Sequence, residues 1–200
     1  EIFRKQHGST KRLAFICSKE AHSSLKSAAK IMDVDIISVP CNDAGKLTGD
    51  AIEAHVGAED FARTFAIVAT GGTTNFGIVD DVASIAGVAK AKKIWLHIDG
   101  AYGLAAILSA QHRSLFEGVQ QADSLIVDPH KWLFAPFDAC ALIYRNPELA
   151  RAVHSQHGEY LETLNESEDW NPSDYAINLT RRPRGLPLWF SLATHGVKQY

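Results

Sequence analysis

Short apolar runs alternate with stretches whose apolar positions recur at helical spacing, and this alternation continues along most of the chain. Runs rich in Val, Ile, Leu and Phe predict strands at 12–17, 35–39, 65–69, 94–98, 124–127 and 139–144. Several of these are apolar at successive positions, as in Phe65-Ala66-Ile67-Val68-Ala69. A strand without a polar face is covered on both sides, which is the habit of a parallel sheet between two helical layers. Helical spacing fits 23–32, 48–57 and 79–91, with a short turn at 112–118. In the first helix Leu25, Ala28, Ala29 and Met32 share one face, and Ser23 or Ser24 is placed to cap its start. The expectation is an α/β domain of three layers, α/β/α, with a mostly parallel sheet.

After Tyr144 the pattern changes. The segment 159–175 is polar and acidic without strand or helix periodicity, and it reads as a mobile surface loop. Beyond Pro187 an apolar helix resumes with Leu188, Trp189, Phe190 and Leu192, and 196–200 reads as its continuation. A chain that begins at Glu1 and stops inside a helix reads as a fragment.

Composition narrows the function classes. With 46% apolar residues among 200, the chain can bury the core of one domain. A net charge of −3, nine histidines and no basic run give no electrostatic footprint for nucleic acid or an anionic membrane, so neither partner is expected. No apolar stretch approaches the roughly 20 residues that span a bilayer, and the first residues lack the apolar core of a signal peptide. The expected location is cytoplasmic. Cys17, Cys41 and Cys140 lack CxxC spacing and read as reduced packing residues.

The chemistry gathers at strand ends. Lys131 follows the run Ser124-Leu125-Ile126-Val127 and the rigid Pro129, so its amine is expected at the carboxyl edge of the sheet. In partly apolar surroundings such a lysine can lose its proton and attack a carbonyl. Asp99 ends the run Ile94-Trp95-Leu96-His97-Ile98 in the same way, either as a helix cap or as a carboxylate facing a ligand cation. Thr74 follows the third strand within Gly71-Gly72-Thr73-Thr74, where small residues let backbone approach a ligand, and Thr73 competes with it. The alternation alone also fits a nucleotide-binding domain, but no strand is followed by GxGxxG.

Five motifs in order carry a family resemblance: Ala21-His22-Ser23-Ser24, Ala69-Thr70-Gly71-Gly72-Thr73-Thr74, His97-Ile98-Asp99-Gly100-Ala101-Tyr102, Asp128-Pro129-His130-Lys131-Trp132, and the run from Arg181 to Trp189. Together they resemble the group II pyridoxal-phosphate-dependent amino-acid decarboxylases, over nearly the whole chain. The resemblance implies a fold-type-I large domain whose intact sheet has seven strands. The N-terminal segment, with its phosphate-binding cup, and the C-terminal small domain would lie outside this chain. It implies pyridoxal 5'-phosphate as cofactor, an amino-acid substrate and a homodimer. The implied reaction is decarboxylation to the amine through an external aldimine and a quinonoid. The rival reactions are aldehyde-forming oxidative deamination, amino transfer and a lyase reaction.

Residue by residue, the resemblance implies that Lys131 holds the cofactor as an internal aldimine and Asp99 keeps the pyridine nitrogen protonated. His22 would stack on the ring and Thr74 would hydrogen-bond near it. His130 would line the pocket or pack behind it. Asp80 matches a family position less closely and otherwise caps the helix from Val79. Asp128 stands where other members carry Asn, and it is left outside the site because an acid suits a phosphate poorly unless a cation pairs with it. Tyr160 and Tyr175 are both available as the acid that reprotonates the substrate carbon, a role that stays unassigned.

Overall fold

The computed structural model describes residues 12–155 and 171–200, together with Gln6 and Gly8. Its six strands are β1 Ala14–Ser18, β2 Asp35–Val39, β3 Thr64–Thr70, β4 Trp95–Asp99, β5 Ser124–Val127 and β6 Ala141–Tyr144. They form one sheet in the order β2-β1-β3-β4-β5-β6. All neighbours run parallel except β5 and β6, which pair antiparallel. The expected mostly parallel sheet is observed.

Alternation along the central strands explains the three layers. Ile16, Ile67, Leu96 and Ile98 face the larger cluster, where helices α2 (Gly49–His55) and α4 (Val82–Lys92) contribute Ile52, Val82 and Ile85. Phe15, Cys17, Ala66 and Val68 face the other way, against Ala29 and Leu25 of α1 (Ser24–Met32). Each side of the sheet is thus buried by a different helical layer, which is why both parities of these strands are apolar.

Several boundaries differ from expectation for local reasons. Neither Ser23 nor Ser24 caps α1 with its side chain. The Ser24 N–H instead donates to His22 Nδ1 at 3.2 Å. Helix α4 starts at Val82, not near Val79, because the Asp81 side chain accepts from the Ser84 N–H and Val79 is held in a β-bridge to Gly71. Asp80 is therefore not the cap. Strand β6 starts late because the backbone of Ala139 is engaged by the His130 ring. Two helices were not anticipated, α3 (Ala58–Arg63) and α5 (Pro147–His154). The expected continuation through 196–200 is also corrected: α6 (Gly185–His195) ends where Gly196 takes φ 71°, and a single 3₁₀ turn follows at Val197–Gln199.

Most of the expected mobile loop, including Tyr160, lies outside the described residues. Its last residues are ordered as a turn, Pro172–Tyr175, capped by Asn171, and Asp174 pairs with Arg151 of α5 at 3.6 Å. The arginines before α6 have a structural role. Arg182 and Arg184 both bind Asp138, at 2.5 and 3.1 Å, and so tie α6 to the loop ahead of β6.

Candidate active site

The parallel strands β1, β3, β4 and β5 are neighbours and end on one edge of the sheet, where the segments after them open onto a cavity of about 670 Å³. His22 comes from the turn after β1, Thr74 from the loop after β3, and Asp99 and Tyr102 from the end of β4 and beyond. Asp128 and Lys131 come from the turn after β5. This is the crevice at strand carboxyl ends where open α/β sheets bind ligands.

Strand register sets the cavity's floor. Thr70, Asp99 and Ile126 are partners across β3, β4 and β5, and all three line the cavity. The row beneath is Val68, His97 and Ser124. The loops above are drawn together by glycines. Gly72 has φ +117°, and a Cβ there would stand 2.9 Å from the Gly103 Cα, so the backbone after β3 rests on the backbone after β4.

Lys131 has a charged neighbour in the cavity. Its Nζ lies 2.7 Å from Asp128 Oδ2. Asp128, left outside the site on sequence grounds, is thus part of it. The Asp99 side chain accepts from the Ala101 N–H through Oδ1 at 3.3 Å, a long bond that closes a turn. The following 3₁₀ segment Gly103–Leu108 has Tyr102, not Asp99, at its N-cap. Thr73 and Thr74 separate cleanly. Thr73 is buried and its Oγ1 accepts from the Ile78 N–H at 3.1 Å, whereas Thr74 lines the cavity.

The histidines also differ. His22 Nδ1 accepts from the Ser24 N–H and meets the Ser24 hydroxyl at 2.8 Å, which leaves Nε2 as the protonated nitrogen of a neutral ring. His130 does not line the cavity. Its Nδ1 lies 2.5 Å from the Ala139 carbonyl, and its ring packs edge-on against Phe137 with centroids 4.9 Å apart.

His97 lines the cavity without having been singled out as a site residue. Ser124 Oγ accepts from Trp95 Nε1 at 2.8 Å and meets His97 Nδ1, also at 2.8 Å. Burial lowers the imidazole's proton affinity, against an opposing pull from Asp99. The signal was present in the two-residue spacing of His97 and Asp99, which puts both on one face of β4.

Thr70 is the second residue that sequence reasoning missed. It is 4% exposed, and its Oγ1 is the one buried side-chain polar atom without a hydrogen-bond partner among the described residues. The Asp80 carboxylate is near enough for this hydroxyl to lower its proton affinity, yet the pair lacks hydrogen-bond geometry. A buried hydroxyl beside a cavity that also presents an amine and a carboxylate fits a polar ligand. A larger cavity of about 830 Å³ shares Tyr102 with this one, but Val79, Leu115, Phe116 and Leu133 make it largely apolar and it holds no carboxylate. The smaller cavity is the chemical one.

An α/β sheet that presents an amine and a carboxylate at the ends of adjacent strands is the layout of a domain that holds an aldehyde cofactor. The family model for the pyridoxal-dependent decarboxylase conserved domain matches residues 3–200. The aromatic-L-amino-acid decarboxylase of Bacillus atrophaeus is 31% identical over 191 residues, covering 92% of this chain and 40% of that protein. The acidic amino acid decarboxylase of Xenopus tropicalis is 30% identical over 210 residues, covering 100% of this chain and 41% of that protein. The crystal structure of Oryza sativa TDC with PLP and tryptamine superposes with a TM-score of 0.88 at 28% identity, over 98% of this chain and 43% of that one. The chain belongs to the pyridoxal-dependent decarboxylase family. It spans about two fifths of the length of the curated relatives it matches.

Proposed function

We propose that the protein carrying this chain is a pyridoxal 5'-phosphate-dependent lyase that removes the α-carboxyl group of an amino acid as carbon dioxide and leaves the amine. The observation that carries this reading is the placement of Lys131 and Asp99 beyond and at the ends of adjacent strands, facing one cavity. The cofactor, when bound, supplies an electron sink for the pair released as the bond to the carboxyl group breaks. The chain's own residues hold and orient it. Lys131 offers the amine that links to the aldehyde, and Asp99 offers a carboxylate to the pyridine nitrogen. His22 provides a flat ring against which to stack, and Thr74 provides a hydroxyl from the loop after β3. His97, biased neutral and fixed by Ser124, is a further wall that leaves the charge of Asp99 free for the ligand. His130 supports the turn of Lys131 from behind by holding Ala139.

A homodimer and a cytoplasmic location belong to the same proposal. Trp189 and Phe190 of α6 are 61% and 55% exposed, an apolar surface suited to further protein contact. None of the described helices is long and apolar enough to cross a membrane. The decisive experiment is borohydride reduction of the intact protein with cofactor, followed by peptide mass mapping and amine detection. Wild type should carry the label on Lys131 and release amine, while Lys131→Ala should do neither. Label retained after Lys131→Ala would overturn the assignment.

A further inference from the structure

Asp128 is the cavity residue whose charge is committed to the lysine itself. Its N–H donates to the Ala101 carbonyl at 3.0 Å, and its own carbonyl accepts from the Lys131 N–H at 2.9 Å. One tight turn around Pro129 therefore supplies both the carboxylate and the amine, which meet at 2.7 Å. The Asp128 side chain is only 14% exposed, against 38% for Lys131. From the segment before β6, the Cys140 thiol also feels this carboxylate. Burial first, then the negative charge of Asp128, push the thiol up to about 11, so it stays neutral and adds no second charge beside the pair. A carboxylate with little access to water gains from an adjacent cation.

We propose that Asp128 is a positioning residue that serves as counter-ion to the Lys131 nitrogen, both as the free ammonium and after that nitrogen has condensed with an aldehyde, and keeps it protonated in the linked state. The charge balance permits this. An ammonium and an aldehyde give a protonated C=N linkage and one water, and the nitrogen carries one positive charge before and after. The carboxylate keeps its partner throughout, which also answers how an acid is accommodated at this position. The inference rests on the reading that Lys131 carries the cofactor.

Other titratable groups facing the cavity are His22 from before α1, His97 and Asp99 from β4, and Tyr102 from the loop beyond β4. His22 and His97 have Nδ1 engaged by Ser24 and Ser124. Among the described residues Asp128 is the one carboxylate in ion-pair contact with Lys131.

The test is a pH titration of the visible absorbance of the intact, cofactor-loaded protein, with borohydride trapping at Lys131 as a check on the linkage. Asp128→Asn keeps the shape and removes the charge; Asp128→Glu keeps the charge. The midpoint for loss of the proton should fall by about one pH unit or more in the Asn variant, a tenfold loss of proton affinity, and stay near wild type in the Glu variant. A purely structural role would lower cofactor loading and leave the midpoint in place. An Asn variant linked through Lys131 whose midpoint lies within about 0.3 pH units of wild type would overturn the inference. If that variant fails to fold, Asp128→Ser is read by the same criterion. A wild-type protein with no reducible linkage at Lys131 would instead refute the parent reading, and this inference with it.

Discussion

Asp80 offers a contest between two effects of opposite sign. It is 2% exposed and accepts from the backbone N–H groups of Leu47 and Thr70 at 2.8 and 2.7 Å, fastening the end of β3 to the loop before α2. Burial pushes its carboxyl up from 3.8 to about 6, against the two N–H bonds and Lys46, which pull it down. A rise of about two pH units corresponds to about 3 kcal/mol. Between pH 3.8 and about 6 the folded protein holds a proton that the unfolded chain has released. The stabilisation is therefore full below the unfolded value, declines as pH rises through that window, and is gone above it. Asp80→Asn keeps one acceptor but turns an NH2 group toward the other N–H, a loss of about 1–3 kcal/mol that does not vary with pH. Urea unfolding followed by tryptophan fluorescence, across acid to neutral pH, should show wild type losing about 3 kcal/mol relative to the variant as pH rises. A difference constant to about 0.5 kcal/mol would show that the two N–H donors offset burial and that Asp80 binds its proton equally well in the folded and unfolded chain.

Two further substitutions test the ligand wall. Asp99→Asn, at nearly constant volume, should leave a folded protein whose kcat falls about 100-fold or more while KM changes only a few-fold. Unchanged turnover would reduce Asp99 to an acceptor for the Ala101 N–H. Thr70→Val removes the unpartnered buried hydroxyl, so the cofactor-free protein should melt at the same or a higher temperature, while cofactor affinity falls about tenfold. A lower melting temperature without cofactor would assign that hydroxyl to Asp80 instead.

The strands were legible because their cores carry little ambiguity. Asp35–Val39 and Ser124–Val127 match expectation residue for residue. Ends governed by side chains were less so, since nothing local announces that the His130 ring will hold the Ala139 backbone and delay β6. Helix α3 is short, and its last residue, Arg63, gains its partners by folding: Asp60 at 2.8 Å within the helix and Asp35 of β2 at 2.6 Å. Helix α5 did carry a local signal in Asn146-Pro147-Glu148, where the Asn146 side chain accepts from the Glu148 N–H. In the site, residues at strand ends could be found because a parallel sheet brings strand ends together. His97 was within reach through its two-residue spacing from Asp99, whereas Thr70 depends on which residue of β3 stands beside which residue of β4, and one chain's sequence does not display that register.

Register also bears on substrate choice. Over this segment the chain is about equally similar to an aromatic-L-amino-acid decarboxylase and to an acidic amino acid decarboxylase, at 31% and 30% identity. What it holds in common with both cannot be what distinguishes their substrates. The cavity agrees with that division. Lys131 is already paired with Asp128, and no other lysine or arginine lines the cavity among the described residues, so a substrate's second carboxylate would find no free cation there. Leu25, Ile126 and Tyr102 present surface to a flat ring without asking anything of a side chain. In the proposed reading the residues gathered here serve the cofactor, so discrimination among substrate side chains falls to groups other than these.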